Sequence, residues 1–280
     1  MLSLAILWGG FSPLWSNCSR SPVLAHFINV GHGDATLVCG QGLSMVIDGG
    51  TEGDGWHSVL KAARRSPCIK NTHLVASHGD ADHAGGLGPL VERLPIQSLM
   101  IGSLRTPSTA MVALLSVAVM RKVPVEVLRK GDRRMLGNMG WMDVLGPSKE
   151  TIRRGGSSND QSLVLQVHLP GGNILFTGDI EEGAERELQR SPEIPPPTLL
   201  KVAHHGSRTS TSRGFLEWSR PRGAVISHDP NRGHPHTEVL SRLQRTVGSI
   251  WLTSGREEIV FGFRARGGVL GGVPNWSGKL

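Results

Sequence analysis

The chain has 280 residues, of which 38% are hydrophobic and 19% are charged, and its formal net charge is +7. This composition supplies enough apolar surface for one or two folded domains, excludes a disordered chain and favours an anionic partner. The three widely spaced cysteines, Cys18, Cys39 and Cys68, exclude a disulfide-rich scaffold and a zinc site made of four cysteines.

An apolar and uncharged segment occupies residues 1–15. It is short for a transmembrane helix, which needs about 20 apolar residues, and it lacks the basic start and the cleavage site of a signal peptide. Three interpretations remain open: the end of a membrane span, a degenerate secretion or lipoprotein leader ending near Cys18, or an apolar extension. We therefore divide the chain into an N-terminal segment at 1–22, one domain at 23–266 and a C-terminal tail at 267–280.

Short apolar runs joined by Gly-rich turns open the domain, and they predict an antiparallel meander of strands at 23–29, 35–39 and 43–47. Helices and strands then alternate, with a polar loop predicted at 146–158. The predicted helices are 55–65, 87–94, 108–121, 181–190, 214–220 and 237–246, and the predicted strands are 72–76, 98–102, 124–128, 140–145, 162–169, 173–177, 198–203, 224–227, 250–253 and 257–263. This order predicts an α/β fold with two sheets and helices outside, a four-layer αββα sandwich.

Possible metal ligands are concentrated directly after one predicted strand. His78, Asp80, Asp82 and His83 fall within six residues after the strand at 72–76. One loop at a strand end can hold several nitrogen and oxygen donors rigidly, as a divalent ion requires. Two carboxylates and two imidazoles packed this closely would repel each other or lose solvation without a cation. The motif therefore predicts a divalent metal site.

Further candidate ligands also follow predicted strands. Asp179 lies in a Phe-Thr-Gly-Asp turn, His204 and His205 are adjacent, and His234 lies in a later loop. Each is weak evidence by itself, because Gly-Asp turns and paired histidines are common. Their shared position after a strand indicates that they belong to the same site.

Seven segments in a fixed order resemble the metallo-β-lactamase superfamily and, within it, the C-terminal domain of the ComEC family of DNA-uptake channel proteins. They are Gly-His-Gly-Asp-Ala (31–35), Ile-Asp-Gly-Gly (47–50), His-x-Asp-x-Asp-His-x-Gly-Gly (78–86), Asn-Asp-x-Ser-Leu-Val-Leu (159–165), Phe-Thr-Gly-Asp (176–179), Leu-Lys-Val-x-His-His-Gly-Ser (200–207) and Asn-x-x-His-Pro-His (231–236). The resemblance spans about residues 24–263 and implies the metallo-β-lactamase fold. Asp80 stands where the superfamily usually has His, and in this it resembles the ComEC branch.

The resemblance implies two divalent ions, Zn²⁺ or Mn²⁺, held by side chains from three of these segments. The implied ligands are His78 and Asp80 for the first ion, Asp82, His83 and His204 for the second, and Asp179 as the bridge between them. His204 is preferred to His205 because it follows the strand directly. Asn159 or Asp160 stands where many members of the superfamily have a further His ligand.

The resemblance also implies a hydrolase that uses a metal-activated water, acting as a nuclease on single-stranded DNA during natural transformation. Asp82 would take the proton of the water, and His234 or His205 would protonate the leaving oxygen. Substrate-binding side chains are expected at Lys201, Ser207 and Asp160. Residues 201–266 carry eleven Lys and Arg against five Asp and Glu, which favours a polyanionic substrate.

Two other functions remain open on the same residues. One is a hydrolase of another ester, such as a lactone, a thioester or a small phosphodiester. The other is a non-catalytic module that guides DNA in an uptake channel. ComEC proteins carry a membrane-channel portion before this domain, so the resemblance implies such a portion in the same or a partner protein and a domain on the outer side of the cytoplasmic membrane; a free-standing relative would instead be soluble.

Overall fold

A computed structural model describes residues 22–66, 69–102, 107–155 and 157–264, and the backbone of 268–271. The segment predicted at 1–22 lies outside the described residues except for Pro22, and the tail predicted at 267–280 lies outside them except for 268–271. No helix in the described part of the chain is long and apolar enough to cross a membrane.

The described residues form fifteen strands and eight α-helices. The strands are β1 (Val23–Ile28), β2 (Thr36–Gly40), β3 (Leu43–Ile47), β4 (Thr72–Ala76), β5 (Ile96–Ile101), β6 (Val125–Val127), β7 (Arg133–Met135), β8 (Trp141–Gly146), β9 (Val164–Leu169), β10 (Gly172–Phe176), β11 (Leu199–Lys201), β12 (Gly223–Ile226), β13 (Ser249–Leu252), β14 (Glu258–Arg264) and β15 (Gly268–Gly271). The helices are α1 (Gly55–Arg65), α2 (Ala81–Ala84), α3 (Leu87–Arg93), α4 (Thr109–Met120), α5 (Lys149–Arg154), α6 (Glu182–Gln189), α7 (Arg213–Ser219) and α8 (Thr237–Thr246).

The strands form two mixed sheets. The first has eight strands in the order β15-β14-β1-β2-β3-β4-β5-β6, and the second has seven in the order β13-β12-β11-β10-β9-β8-β7. Strands β1 to β3 pair antiparallel, which confirms the predicted meander, whereas β3 to β6 pair parallel. In the second sheet, β10 to β13 pair parallel. Because parallel strands end at the same edge of a sheet, the loops that follow them are brought together there.

Three apolar clusters separate four layers of structure. The inner faces of both sheets meet in a core that contains Phe27, Phe176 and Phe261. Helices α1, α3 and α4 pack on the outer face of the first sheet, and α6, α7 and α8 pack on the outer face of the second. This arrangement confirms the predicted αββα sandwich.

The polar loop predicted at 146–158 is wrong, because α5 lies within it. Ser148 Oγ accepts hydrogen bonds from the backbone N–H groups of Glu150 and Thr151 at 3.1 Å, and Gly155 ends the helix in a left-handed conformation. Such caps stabilise a helix end without any apolar face. Since α5 has no buried residue, it has no apolar periodicity from which it could have been predicted.

A buried histidine on β1 gives the fold a pH-dependent stability. Burial would lower the pKa of His26, but hydrogen bonds with Cys39 and Glu258 outweigh it and raise the pKa to about 9. The Nδ1 atom of His26 lies 2.9 Å from Glu258 Oε2 on the neighbouring strand β14. A pKa raised on folding stabilises the native state below the unfolded value of 6.5, and this contribution is lost as the pH rises through about 9.

We therefore expect His26→Gln to lower the free energy of unfolding by about 3 kcal/mol at pH 6 and by much less at pH 10. Urea unfolding of both proteins at the two pH values measures this difference. If the free energy of unfolding differs between wild type and variant by the same amount at pH 6 and at pH 10, the raised pKa of His26 would be contradicted.

Candidate metal centre

Loops from both sheets meet at the edge where the parallel strands end. The backbone N–H of Asp34, after β1, donates to Asp82 O at 3.2 Å, and the N–H of Gly49, after β3, donates to His83 O at 2.8 Å. Two glycines allow these close approaches: a Cβ on Gly33 would lie 2.0 Å from Asp82 O, and one on Gly86 would lie 1.9 Å from Gly49 O. Backbone contacts therefore hold these loops of the first sheet together before any side chain contributes.

Five side chains in these loops turn their polar atoms toward one another; we call them the metal-centre cluster, and they are His78, Asp82, His83, Asp179 and His205. His83 Nε2 lies 3.3 Å from Asp179 Oδ1, and His205 Nε2 lies 3.4 Å from Asp82 Oδ2 and 3.7 Å from Asp179 Oδ2. Two sets of three have all their ligand atoms within 4.8 Å of one another: His78, His83 and Asp179, and Asp82, His83 and His205. The cluster thus offers two overlapping positions for a cation.

Several buried atoms of the cluster lack a hydrogen-bond partner among the described residues. They are the Nε2 atoms of His78, His83 and His205 and Oδ1 of Asp179. Buried polar atoms in native proteins almost always have a partner, because leaving one unpaired is costly. Imidazole nitrogens together with carboxylate oxygens are the donors that Zn²⁺ and similar divalent ions take. The residues present therefore fit divalent metal.

Asp48, at the end of β3, supports His83 from behind. Its Oδ2 lies 2.9 Å from His83 Nδ1, and its two oxygens accept hydrogen bonds from the backbone N–H and the Oγ–H of Ser77, both at 2.8 Å. A carboxylate on Nδ1 fixes the tautomer of a ligand imidazole and leaves Nε2 for the metal. Burial would lower the pKa of His83, but the charges of Asp179 and Asp48 outweigh it and hold that pKa well above its usual value.

The structure places His205 in the cluster, and not His204, which the sequence favoured as a ligand. Both residues have left-handed backbone conformations, with φ of +48° for His204 and +53° for His205. This turn directs His205 inward, whereas His204 Nδ1 lies 3.5 Å from Glu181 Oε1. Position directly after the strand favours His204, but the left-handed turn brings the next residue, His205, to the cluster instead.

The three predicted substrate-binding residues are engaged elsewhere in the structure. The Lys201 side chain is only 3% exposed, and its Nζ lies 2.6 Å from Asp34 Oδ2, so it is not placed to contact a phosphate. Ser207 is buried with its Oγ 3.0 Å from Thr209 Oγ1. Asp160 Oδ1 accepts a hydrogen bond at 3.0 Å from the backbone N–H of Glu181, just before α6.

Asp80 and His234 lie beside the cluster. Asp80 Oδ2 is 3.6 Å from His78 Nε2, and its Oδ1 accepts a hydrogen bond from Ser158 Oγ at 2.7 Å. The ring of His234 is 6.0 Å from that of His204, and its Nδ1 is 3.0 Å from His236 Nδ1. Burial, followed by the neighbouring imidazoles, lowers the pKa of His234.

Sequence reasoning missed three residues of the site. Asp34 lies next to His205 and Lys201, Asp48 holds His83, and His32 Nε2 lies 3.1 Å from Asp82 Oδ2. Each lies at or near the end of a strand in the first sheet, as His78 does. Their position after a strand could therefore have indicated them as well. The family resemblance includes the segments that contain these three residues but implies no role for them.

Comparison of the sequence and the fold with known proteins supports a metal centre at this position. Residues 28–228 match the family model described as the metallo-beta-lactamase superfamily. ComE operon protein 3 of Bacillus subtilis (strain 168) is 28% identical over 278 residues, which cover 92% of this chain and 35% of that protein. Recombination protein 2 of Haemophilus influenzae is 28% identical over 250 residues, which cover 85% of this chain and 28% of that protein.

The chain thus spans about a third or less of the length of these curated relatives. Among solved structures, the metallo-beta-lactamase fold protein YhfI from Bacillus subtilis is similar with a TM-score of 0.54 at 11% identity, covering 85% of this chain and 98% of that chain. The family match agrees with the buried His and Asp donors in the loops at the strand ends. The chain belongs to the metallo-β-lactamase superfamily.

Proposed function

We propose that this chain is a metal-dependent phosphodiesterase that hydrolyses single-stranded DNA. The observation that carries the proposal is the convergence of unpaired buried nitrogen and oxygen atoms in the metal-centre cluster, which divalent cations would satisfy together. His78, Asp80 and Asp179 would hold a first divalent ion, and Asp82, His83, His205 and Asp179 a second. Bound divalent metal, Zn²⁺ or Mn²⁺, supplies Lewis acidity and lowers the pKa of water toward neutrality.

Asp82 is the group that we assign to accept a proton from the attacking water. Burial would raise its pKa, but the hydrogen bond with His205 and the charge of His83 outweigh it and lower that pKa to about 2. The carboxylate is therefore ionised at neutral pH. It is also 18% exposed, more than the carboxylate of Asp179, so that it faces the open side of the cluster.

His234 is the imidazole that we assign to the substrate. His205 cannot protonate a leaving oxygen, because Nδ1 faces Asp34 and Nε2 faces the metal position. His234 is half-buried beside His204 and has a lowered pKa, so at neutral pH it is a neutral ring with one N–H. We infer that it donates this N–H in a hydrogen bond to a phosphate oxygen, while the proton that Asp82 accepts from the water passes to the leaving oxygen as the P–O bond breaks.

Positive charge near His234 supports a polyanionic substrate. Two arginines at the ends of α7 are paired with glutamates: Arg213 with Glu217, and Arg220 with Glu193. Arg208 instead lines an open cavity of about 510 Å³ together with His236, two residues beyond His234. The relative named as a recombination protein is consistent with DNA as the substrate.

Cleavage of a labelled single-stranded oligonucleotide with Mn²⁺ or Zn²⁺ tests the proposal. We expect nucleotides to be released and DNA affinity to fall with salt, because phosphate contacts release counterions. Arg208→Ala should weaken binding and lower the slope of log affinity against log salt by roughly one unit. Arg213→Ala is the matched control, since Arg213 is also exposed but pairs with Glu217 on α7, and it should leave the slope unchanged.

Other outcomes would favour the alternatives. Hydrolysis of bis(p-nitrophenyl) phosphate, a lactone or a thioester without cleavage of DNA would indicate a hydrolase of small esters. Salt-dependent binding of DNA without cleavage at saturating metal would indicate a DNA-guiding module. Either result would contradict the proposed nuclease.

A further inference from the structure

A buried lysine lies beside the metal-centre cluster, and the reaction described above gives it no role. Lys201 is the last residue of β11 and is 3% exposed. Its Nζ lies 2.6 Å from Asp34 Oδ2 and donates to Val202 O at 3.1 Å. Burying an ammonium group is costly even when it is paired, and an apolar residue would pack there at lower cost. A lysine at this position therefore suggests a function beyond packing.

Asp34 lies between Lys201 and the metal-centre cluster, with one oxygen directed to each. While Oδ2 contacts Lys201, Oδ1 faces His205 Nδ1 at 3.4 Å and has no hydrogen-bond partner in the described part of the chain. The backbone of Asp34 is fixed on both sides, since its N–H donates to Asp82 O and its carbonyl accepts from Gly50 N–H at 2.8 Å. The carboxylate is thus held in place independently of His205.

The same arrangement occurs at His83. There Asp48 lies on Nδ1, Ser77 holds Asp48, and Nε2 faces Asp179. At His205, Asp34 lies on Nδ1, Lys201 holds Asp34, and Nε2 faces Asp82 and Asp179. A carboxylate on one ring nitrogen fixes the tautomer and the orientation of a ligand imidazole.

We propose that Lys201 and Asp34 are a positioning pair for His205. Lys201 binds one oxygen of Asp34, and the other oxygen accepts the proton on Nδ1 of His205. The Nε2 lone pair of His205 would then be directed to the second ion. This inference rests on the proposed function, because it requires His205 to be a metal ligand.

The ammonium group of Lys201 has a second effect. Asp34, Asp48 and His83 could together hold a cation of their own, and Lys201 already neutralises Asp34 at that position.

Two double variants separate positioning from stability. Asp34→Leu with Lys201→Met and Asp34→Asn with Lys201→Met both remove the two charges together, so that neither leaves a buried charge unpaired. Only the Asn variant retains an oxygen facing His205 Nδ1. In calorimetric titration of the whole chain with Zn²⁺, we expect the Leu variant to bind the second ion about 10–100-fold more weakly, and the Asn variant to lose much less.

A purely structural role would lower the melting temperature of the metal-free protein without separating the two variants in zinc affinity. Unchanged zinc affinity in the Leu variant would overturn the inference while leaving the proposed function intact. Wild-type protein that takes up no zinc would instead overturn the proposed function, and the inference with it.

A measurement on the wild type covers the case in which the variants do not fold. Imidazole ¹H–¹⁵N correlation spectra of the zinc-loaded protein report which ring nitrogen of each His carries the proton. We expect His205 to be protonated on Nδ1, as Asp34 requires. Protonation of His205 on Nε2 would overturn the inference.

Discussion

Asp82→Ala is expected to abolish hydrolysis while leaving the fold intact. The carboxylate lies within 3.1 to 3.9 Å of nitrogen atoms of His32, His205 and His83, so its removal eliminates both a proposed ligand of the proposed second ion and the proposed proton acceptor. Loss of a group that only supports a ligand lowers metal affinity or activity 10–100-fold, so the loss of a ligand should exceed about 100-fold.

The fold should survive this change, although its stability should fall. The backbone carbonyl of Asp82, which accepts from Asp34 N–H, is unaffected by truncation of the side chain. The change removes the repulsion from Asp179 but also the stronger attraction to His205 and His83 that lowers the pKa of Asp82 to about 2. We therefore expect the metal-free protein to fold with a free energy of unfolding lowered by about 2 kcal/mol.

Turnover of a phosphodiester at saturating metal measures the effect. Asp54→Ala is the matched control, because Asp54 is exposed before α1 and its side chain makes no capping hydrogen bond. The control should retain wild-type turnover. Retained turnover in the Asp82→Ala protein would remove Asp82 from the reaction.

Much of the fold could be predicted from the sequence because it follows from apolar periodicity. The bounds predicted for the helices at 55–65 and 237–246 are those of α1 and α8, both of which bury one apolar face. Elements that bury little apolar surface or are very short were not predicted. Helix α5 depends on its caps, whereas α2 has only four residues and β7 only three. Local pattern thus predicts those elements whose stability comes from packing.

The site could be predicted only in part, because strand ends indicate which loops meet but not where each side chain points. The loop that contains His78, Asp82 and His83 could be predicted because its candidate ligands fall within six residues of one another. The choice between His204 and His205 depended on a left-handed turn that the sequence pattern does not reveal. The ion pair between Lys201 and Asp34 could not be predicted, because the two residues are distant in the chain.

Asp179→Ala should have the second large effect, which is loss of tight metal uptake. Asp179 is buried, with one oxygen 3.3 Å from His83 Nε2 and the other 3.7 Å from His205 Nε2, so it serves both proposed metal positions. Burial would raise its pKa, but the charge of His83 outweighs it and holds the pKa well below its usual value, so the carboxylate is ionised. We expect affinity for divalent metal to fall by more than about 100-fold.

This variant also loses the contact between Asp179 and His83 in the metal-free state, so its folding is checked by circular dichroism. Asp179→Asn, which keeps the shape of the side chain and removes its charge, serves as the second variant. Wild-type metal affinity in both variants would contradict the bridging role.

The central claim is that His and Asp side chains from distant loops form a centre for two divalent ions. Calorimetric titration of the metal-free wild-type protein with Mn²⁺ and with Zn²⁺ tests it most directly. The account predicts saturable uptake of two ions per chain with at least one of the two metals. Absence of stoichiometric uptake of both metals by folded protein would contradict it.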